Sequence, residues 1–218
     1  MPDRPRVAVT VGDAGGIGIE VALKAVADPN VTSVCRPVLY GPADVIAATA
    51  ADLGLSATEP KNGPDNGPGT DVVDVGGLDG SRVVRGEFDA ATGAASYQAV
   101  LAAIDDALAE GRCDDCAHEP ELLRMRGELL LKGGRSKSDA AELFEKACKL
   151  AEEMGALLYA VRAATSQLRL ALRTDAEERD AFGTKLRDLL DQAELDHDLA
   201  DYRRAQKLLA EAEVRRSS

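Results

Sequence analysis

The stretch VTVGDAGGIGIE, residues 9–20, sets four glycines and two carboxylates directly behind an apolar, β-branched run. That run, RVAVTVG over residues 6–12, reads as a buried strand ending in glycine. GIEVALKAVADPN, residues 18–30, follows as a helix closed by Asp28-Pro29-Asn30. A strand that turns through glycines into a helix opens an α/β fold, and the helix's first amides favour an anion. The glycines do not spell the dinucleotide fingerprint, because Gly16-Ile17-Gly18-Ile19-Glu20-Val21 lacks its third glycine.

Moving outward, RPVLYGP (36–42) reads as a second strand and ADVIAATAADLGLS (43–56) as a helix stopped by Gly54. TEPKNGPDNGPGT (58–70) is a turn-rich loop, and DVVDV (71–75) a short strand. Residues 90–111 form an Ala-rich helix with Tyr97, Val100, Leu101, Ile104 and Leu108 expected on its buried face. The strand–helix alternation predicts a largely parallel sheet. Composition then breaks near residue 112. Fifteen of the twenty glycines and eight of the nine prolines precede it, whereas 40 of the last 106 residues are charged. Helical spacing recurs over 119–132, 138–154, 156–173, 176–193 and 199–214. The expected organisation is an α/β segment over 1–112, a junction over 113–117 and an all-α segment of helical hairpins over 118–218.

The bulk numbers bound the function. A net charge of −12 argues against a nucleic-acid or anionic-membrane surface. No apolar run is long enough for a signal core or a membrane span. Four cysteines in 218 residues do not make a secreted disulfide framework, so a cytoplasmic protein is expected. With no Trp and 3% aromatic residues, the core must be aliphatic.

Gly12, followed after three residues by Gly16-Ile17-Gly18, has the spacing of short-chain dehydrogenases, which implies a nucleotide binder. The Tyr-x-x-x-Lys pair of that family is missing, since Leu101 stands four places after Tyr97. A second likeness accounts for more of the segment. VAVTVGDAGGIGIEVALKA (7–25) resembles the opening of the 4-hydroxythreonine-4-phosphate dehydrogenase family of pyridoxal phosphate biosynthesis, which runs Gly-Asp-Pro-Ala-Gly-Ile-Gly-Pro-Glu. Gly12, Asp13, Gly16, Ile17, Gly18 and Glu20 match it, while Ala14, Gly15 and Ile19 depart from it. PVLYGPADVIAATAADLGLS (37–56) and GEFDAATGAASYQAVLAAIDDALAEGRCDD (86–115) continue the likeness in order. The resemblance implies an isocitrate/isopropylmalate dehydrogenase-like α/β fold, here an incomplete fragment. It also implies NAD and a divalent metal as cofactors, with Gly12, Asp13, Gly16, Gly18 and Glu20 as the cofactor-side turn. The family's later Thr-Ala-Pro, Gly-His-Thr and metal-histidine segments have no counterpart, because CAHEPELLRMRG (116–127) begins a helix instead. No catalytic residue can be assigned, and a chain inactive by itself is expected. The abrupt change at 111–117 suggests two gene pieces joined.

In the second segment Gly127, Ala140, Phe144 and Ala147 put small and large residues on facing helices, the spacing of a close-packed hairpin. The pattern resembles a tetratricopeptide-type repeat, and residues 118–212 resemble the helical tails of bacterial ATPase and adenylate-cyclase-linked regulators. That resemblance implies a protein partner on the helical segment, with the first segment a relic; a homo-oligomer is the other expected association. Cys113, Cys116 and His118 are weak candidate metal ligands, since no second ligand pair follows and Asp114 and Asp115 disfavour thiolates. His197 reads as part of a helix-start cap with Asp196 and Asp198. The run DYRRAQKLL (201–209) reads as a solvated helix face.

Overall fold

A computed structural model describes residues 4–55, 71–109, 117–172, 176–193 and 195–216. The chain divides into two compact units, residues 1–109 and 110–218. The loop over 58–70 lies outside the described residues, as do Cys113 and Cys116.

In the first unit, β1 (Arg6–Thr10), β2 (Arg36–Gly41) and β3 (Asp71–Asp74) form a parallel sheet in the order β1-β2-β3. Val9 lies opposite Leu39, and Leu39 opposite Val72. The central strand is buried from Pro37 to Gly41, and its period of two sorts its side chains between two cores. Leu39 packs with Ile19 and Leu23 of α1 (Gly18–Ala27) and with Ile46 and Ala50 of α3 (Ala43–Asp52). Val38 and Tyr40 face the other way, onto Ala99 and Ala103 of α4 (Ala90–Ala109). Helices therefore cover both faces, which is why β2 reads as a continuous apolar run. The Tyr40 hydroxyl donates to Asp106 of α4, whose carboxylate also takes Arg6 of β1 at 3.2 Å. Burial, with Asp106 beside it, pushes the Tyr40 hydroxyl's pKa well above its usual value. Among the described residues β1 pairs only with β2, and Val7 on it stays 41% exposed.

Two local expectations change. Asp28-Pro29-Asn30 closes α1 but also starts a further helix, α2 (Pro29–Val34): the Asp28 carboxylate accepts the Asn30 amide at 2.8 Å and Pro29 takes the first helical position. On α4 the fully buried stripe is Thr92, Ala95, Ala99, Ala103 and Ile104; Tyr97, Val100, Leu101 and Leu108 are only half-buried. Small side chains let the helix approach the sheet closely, so alanine occupies the contact line.

The second unit consists of α5 (Glu119–Lys132), α6 (Lys137–Glu153), α7 (Leu157–Ala171), α8 (Ala176–Ala193) and α9 (Ala200–Arg216). Gly134 and Gly155, at φ +68° and +67°, end α5 and α6. At each stop the following amide reaches back to a carbonyl one turn earlier, Arg135 to Leu130 at 2.9 Å and Ala156 to Ala151 at 2.8 Å. Consecutive helices pack on one another, and α7 also meets α5 and α9. This places α7 at the centre, buried from Ala160 to Leu168 except at Arg162. Among the described residues no helix is long and apolar enough to cross a membrane.

Candidate functional site

The glycine turn is built around Asp13. Its Oδ1 accepts the Gly15 amide at 2.9 Å, and its carbonyl accepts the Gly16 amide at 3.0 Å. Its Oδ2 accepts the Thr92 hydroxyl at 3.0 Å. Thr92 in turn belongs to the start of α4, where its amide donates to Asp89 Oδ1 at 2.8 Å and its hydroxyl accepts the Asp89 amide at 3.1 Å. The backbone amide of Thr92 holds the Asp89 carboxyl's pKa below its usual value. Asp13 thus joins the first turn of the unit to its last helix, across 79 positions of sequence. Replacing Asp13 by alanine, or Thr92 by valine, is expected to cost about 1–2 kcal/mol each. The double variant should cost less than the sum, because one bond is lost twice. Urea denaturation of the four proteins checks this, and strict additivity would show that the bond does not stabilise the fold.

Gly15 and Gly18 are the tight positions. A Cβ on Gly15 would collide with the Glu87 carbonyl oxygen, and one on Gly18 with the Val11 carbonyl oxygen. The Gly86 amide donates to the Gly15 carbonyl at 2.8 Å, which draws residues 84–88 against the turn. Gly12, at φ +75°, has open space where a side chain would stand.

Between this turn, α3 and residues 80–88 lies a cleft of about 610 Å³. Of the five turn residues singled out in the sequence, Gly16 and Glu20 line it, whereas Gly12, Asp13 and Gly18 do not. Its carboxylates are Glu20, Asp44 and Asp52, and its cation is Arg85. Glu20 pairs with Lys24 at 2.6 Å, which lowers its carboxyl pKa, and Asp52 pairs with Arg85 at 2.7 Å. Asp44, Ser81, Arg85 and Phe88 were not singled out by sequence. Nothing local marks them, because Asp44 on α3 and Ser81, Arg85 and Phe88 on the 80–88 loop meet the turn only through tertiary packing.

These side chains do not suit the groups that the family resemblance implies. A divalent metal needs several converging ligands. Among the described residues no three of His, Cys, Asp and Glu are grouped to hold one. A pyrophosphate needs cations as well as amides; Asp13 takes the Gly15 and Gly16 amides, which leaves only those that open α1, and carboxylates outnumber cations in the cleft. His118 Nδ1 lies 2.6 Å from the Tyr159 hydroxyl, and His197 stacks on Tyr202 with ring centres 4.4 Å apart.

The N-terminal half is similar to 4-hydroxythreonine-4-phosphate dehydrogenases. Over 107 residues it is 38% identical to such an enzyme of a Synechococcus species, covering 48% of this chain and 29% of that one. Over 119 residues it is 34% identical to a Symbiobacterium thermophilum protein provisionally named a D-threonate 4-phosphate dehydrogenase, covering 52% and 35%. The chain therefore spans about a third of the length of these curated relatives. A crystal structure of a Burkholderia phymatum 4-hydroxythreonine-4-phosphate dehydrogenase is 23% identical, covers 65% of this chain and 44% of its own, and superposes with a TM-score of 0.47. No protein-family model matches the chain.

The helical unit carries a second, polar pocket of about 240 Å³. Arg124 of α5, Arg162 and Arg169 of α7, and Arg204 of α9 line it. Arg124 holds Glu121 through two bonds of 2.8 Å. Arg162 holds Asp201 at 2.8 and 3.0 Å and approaches Glu121 at 3.5 Å. Glu128 accepts Arg169 and the Ser166 hydroxyl, the latter at 2.7 Å. Three helices are thus tied by one charged network along a shared groove.

Proposed function

We propose that the first unit is a 4-hydroxythreonine-4-phosphate dehydrogenase-like α/β body that does not oxidise substrate in this chain by itself. The observation that carries the reading is the state of the glycine turn. The amides of Gly15 and Gly16 and both oxygens of Asp13 are engaged within the protein, so the motif serves the fold. The purified chain is to be assayed with NAD, a series of divalent ions, and each of the two 4-phosphates named in the relatives. No NADH above the protein-free rate is expected. Metal-dependent NADH formation would overturn the reading.

A second reading rests on the arginine-lined groove of the helical unit, whose residues come from α5, α7 and α9 alike. This arrangement supports a protein-interaction surface. A partner held by the full chain should be released by Arg162→Glu with Arg204→Glu, and retained by Lys149→Glu on α6, where the side chain is exposed. Equal retention by both variants would move the surface elsewhere.

A further inference from the structure

Ile17 and Phe88 line the first unit's cleft, yet they are 77% and 70% exposed. Large apolar side chains left open beside a cavity mark a surface that something covers. At about 610 Å³ the cleft is the size of an ordinary small-molecule site. Its walls are apolar, with Ile19, Val45, Ala48 and Val83 beside Ile17 and Phe88. Gly16 and Gly86 keep part of the lining free of side chains, so a ligand can lie against backbone there.

Charge selects among ligands of that size. Glu20 has Lys24, and Asp52 has Arg85. Asp44 is different. Its Oδ1 accepts the Val45 amide at 2.8 Å and its Oδ2 the Gly80 amide at 2.9 Å, and it makes no ion pair among the described residues. A carboxylate has about four acceptor sites, so two amides leave it able to take further donors. Asp44 is solvent-exposed in the first turn of α3, so the lining holds one carboxylate with no ion-pair partner among the described residues, at the open edge of an apolar wall.

We propose that this cleft binds an organic monocation with an apolar body, such as an arylalkyl amine. The ammonium group sits on Asp44, and the ring or branched chain lies between Ile17 and Phe88. The proposal rests on the reading that the turn holds neither a dinucleotide nor a metal, and it departs from both 4-phosphates named in the relatives. Such anions would meet Asp44 as a like charge.

Tryptamine and indole-3-acetate share a ring system and differ in the sign of their charge. The chain has no Trp, so indole emission reports on the ligand. Titrating the full chain into each and following fluorescence anisotropy should give tryptamine a Kd roughly tenfold below that of indole-3-acetate. Asp44→Asn should remove most of that preference by weakening tryptamine alone. Phe88→Ala, a change at an exposed position, should weaken both ligands. Equal or tighter binding of indole-3-acetate would overturn the proposal. So would an unchanged preference in Asp44→Asn at unchanged melting temperature, binding of neither ligand, or displacement of tryptamine by NAD or a 4-phosphate. NADH formation in the separate turnover assay would sink the non-catalytic reading. Preference for the acid without NADH formation would sink this one alone.

Discussion

Gly18→Ala is expected to destabilise the first unit by about 3 kcal/mol or more, at the upper end of overpacking costs. The added Cβ would stand inside the contact radius of the Val11 carbonyl oxygen. Neither side can yield easily. Val11 is buried and its amide donates to the Tyr40 carbonyl at 3.1 Å, continuing the β1–β2 pairing. Gly18 opens α1, whose Ile19, Ala22, Leu23 and Val26 fill the core beneath Leu39. A shift of either element would move that core, and close-packed interiors transmit such shifts at a cost. Gly12→Ala is the control. It places a side chain at φ +75° but in open space, so only backbone strain of about 1–2 kcal/mol is expected. Urea midpoints should rank wild type above Gly12→Ala and Gly12→Ala above Gly18→Ala. Amide exchange over residues 6–55 should quicken most in the last. If the two variants lose equal stability, the close approach of helix and strand is not the reason for Gly18.

Gly15 extends the point. The family motif that this stretch resembles has alanine there, and here a Cβ would strike the Glu87 carbonyl oxygen. The departure from the motif is matched by the packing of residues 84–88. It allows the loop to close over the turn and form one wall of the cleft.

What could be read from the sequence was whatever a short window determines. β1 was legible because Val7, Ala8 and Val9 end at a glycine, and β2 because a strand covered on both faces is apolar throughout. The helical spacing over 119–132 and 138–154 marks α5 and α6, and Gly134 and Gly155 stop them in a left-handed backbone. The buried face of α4 was not. Ala95, Ala99 and Ala103 carry little hydrophobic signal, and only the closeness of Val38 and Tyr40 makes them the contact line. Asp28-Pro29 misled because the same pair that ends one helix is well suited to start another. For the site, Glu20 and Gly16 were in view, but Asp44 and Phe88 join them only after residues 80–88 fold back. Asp13 stands in the sequence as a match to the family motif, yet in the fold it ties the turn to α4. Its partner, Thr92, lies too far along the chain for any local pattern to pair them.

Phe144→Ala is expected to cost the helical unit about 3–5 kcal/mol, the usual range for removing a fully buried aromatic side chain. Phe144 is the largest side chain of a core otherwise rich in alanine, including Ala140, Ala147, Ala151, Ala160 and Ala164. Small neighbours on helical backbones have few ways to collapse into the space it leaves. The Gly127 position then sharpens the test. In the wild type a Cβ on Gly127 would stand 2.5 Å from Phe144 Cε1, so Gly127→Ala should be destabilising despite alanine's better helix propensity. Once Phe144 is alanine the ring is gone, and the same change should become stabilising by about 0.5–1 kcal/mol, the intrinsic preference of a helix for alanine over glycine. The sign of the Gly127 effect therefore reverses with the residue at 144. Thermal or urea denaturation of the two single variants, the double variant and the wild type measures it. A Gly127→Ala effect of the same sign in both backgrounds would show that the glycine is not there to admit the ring.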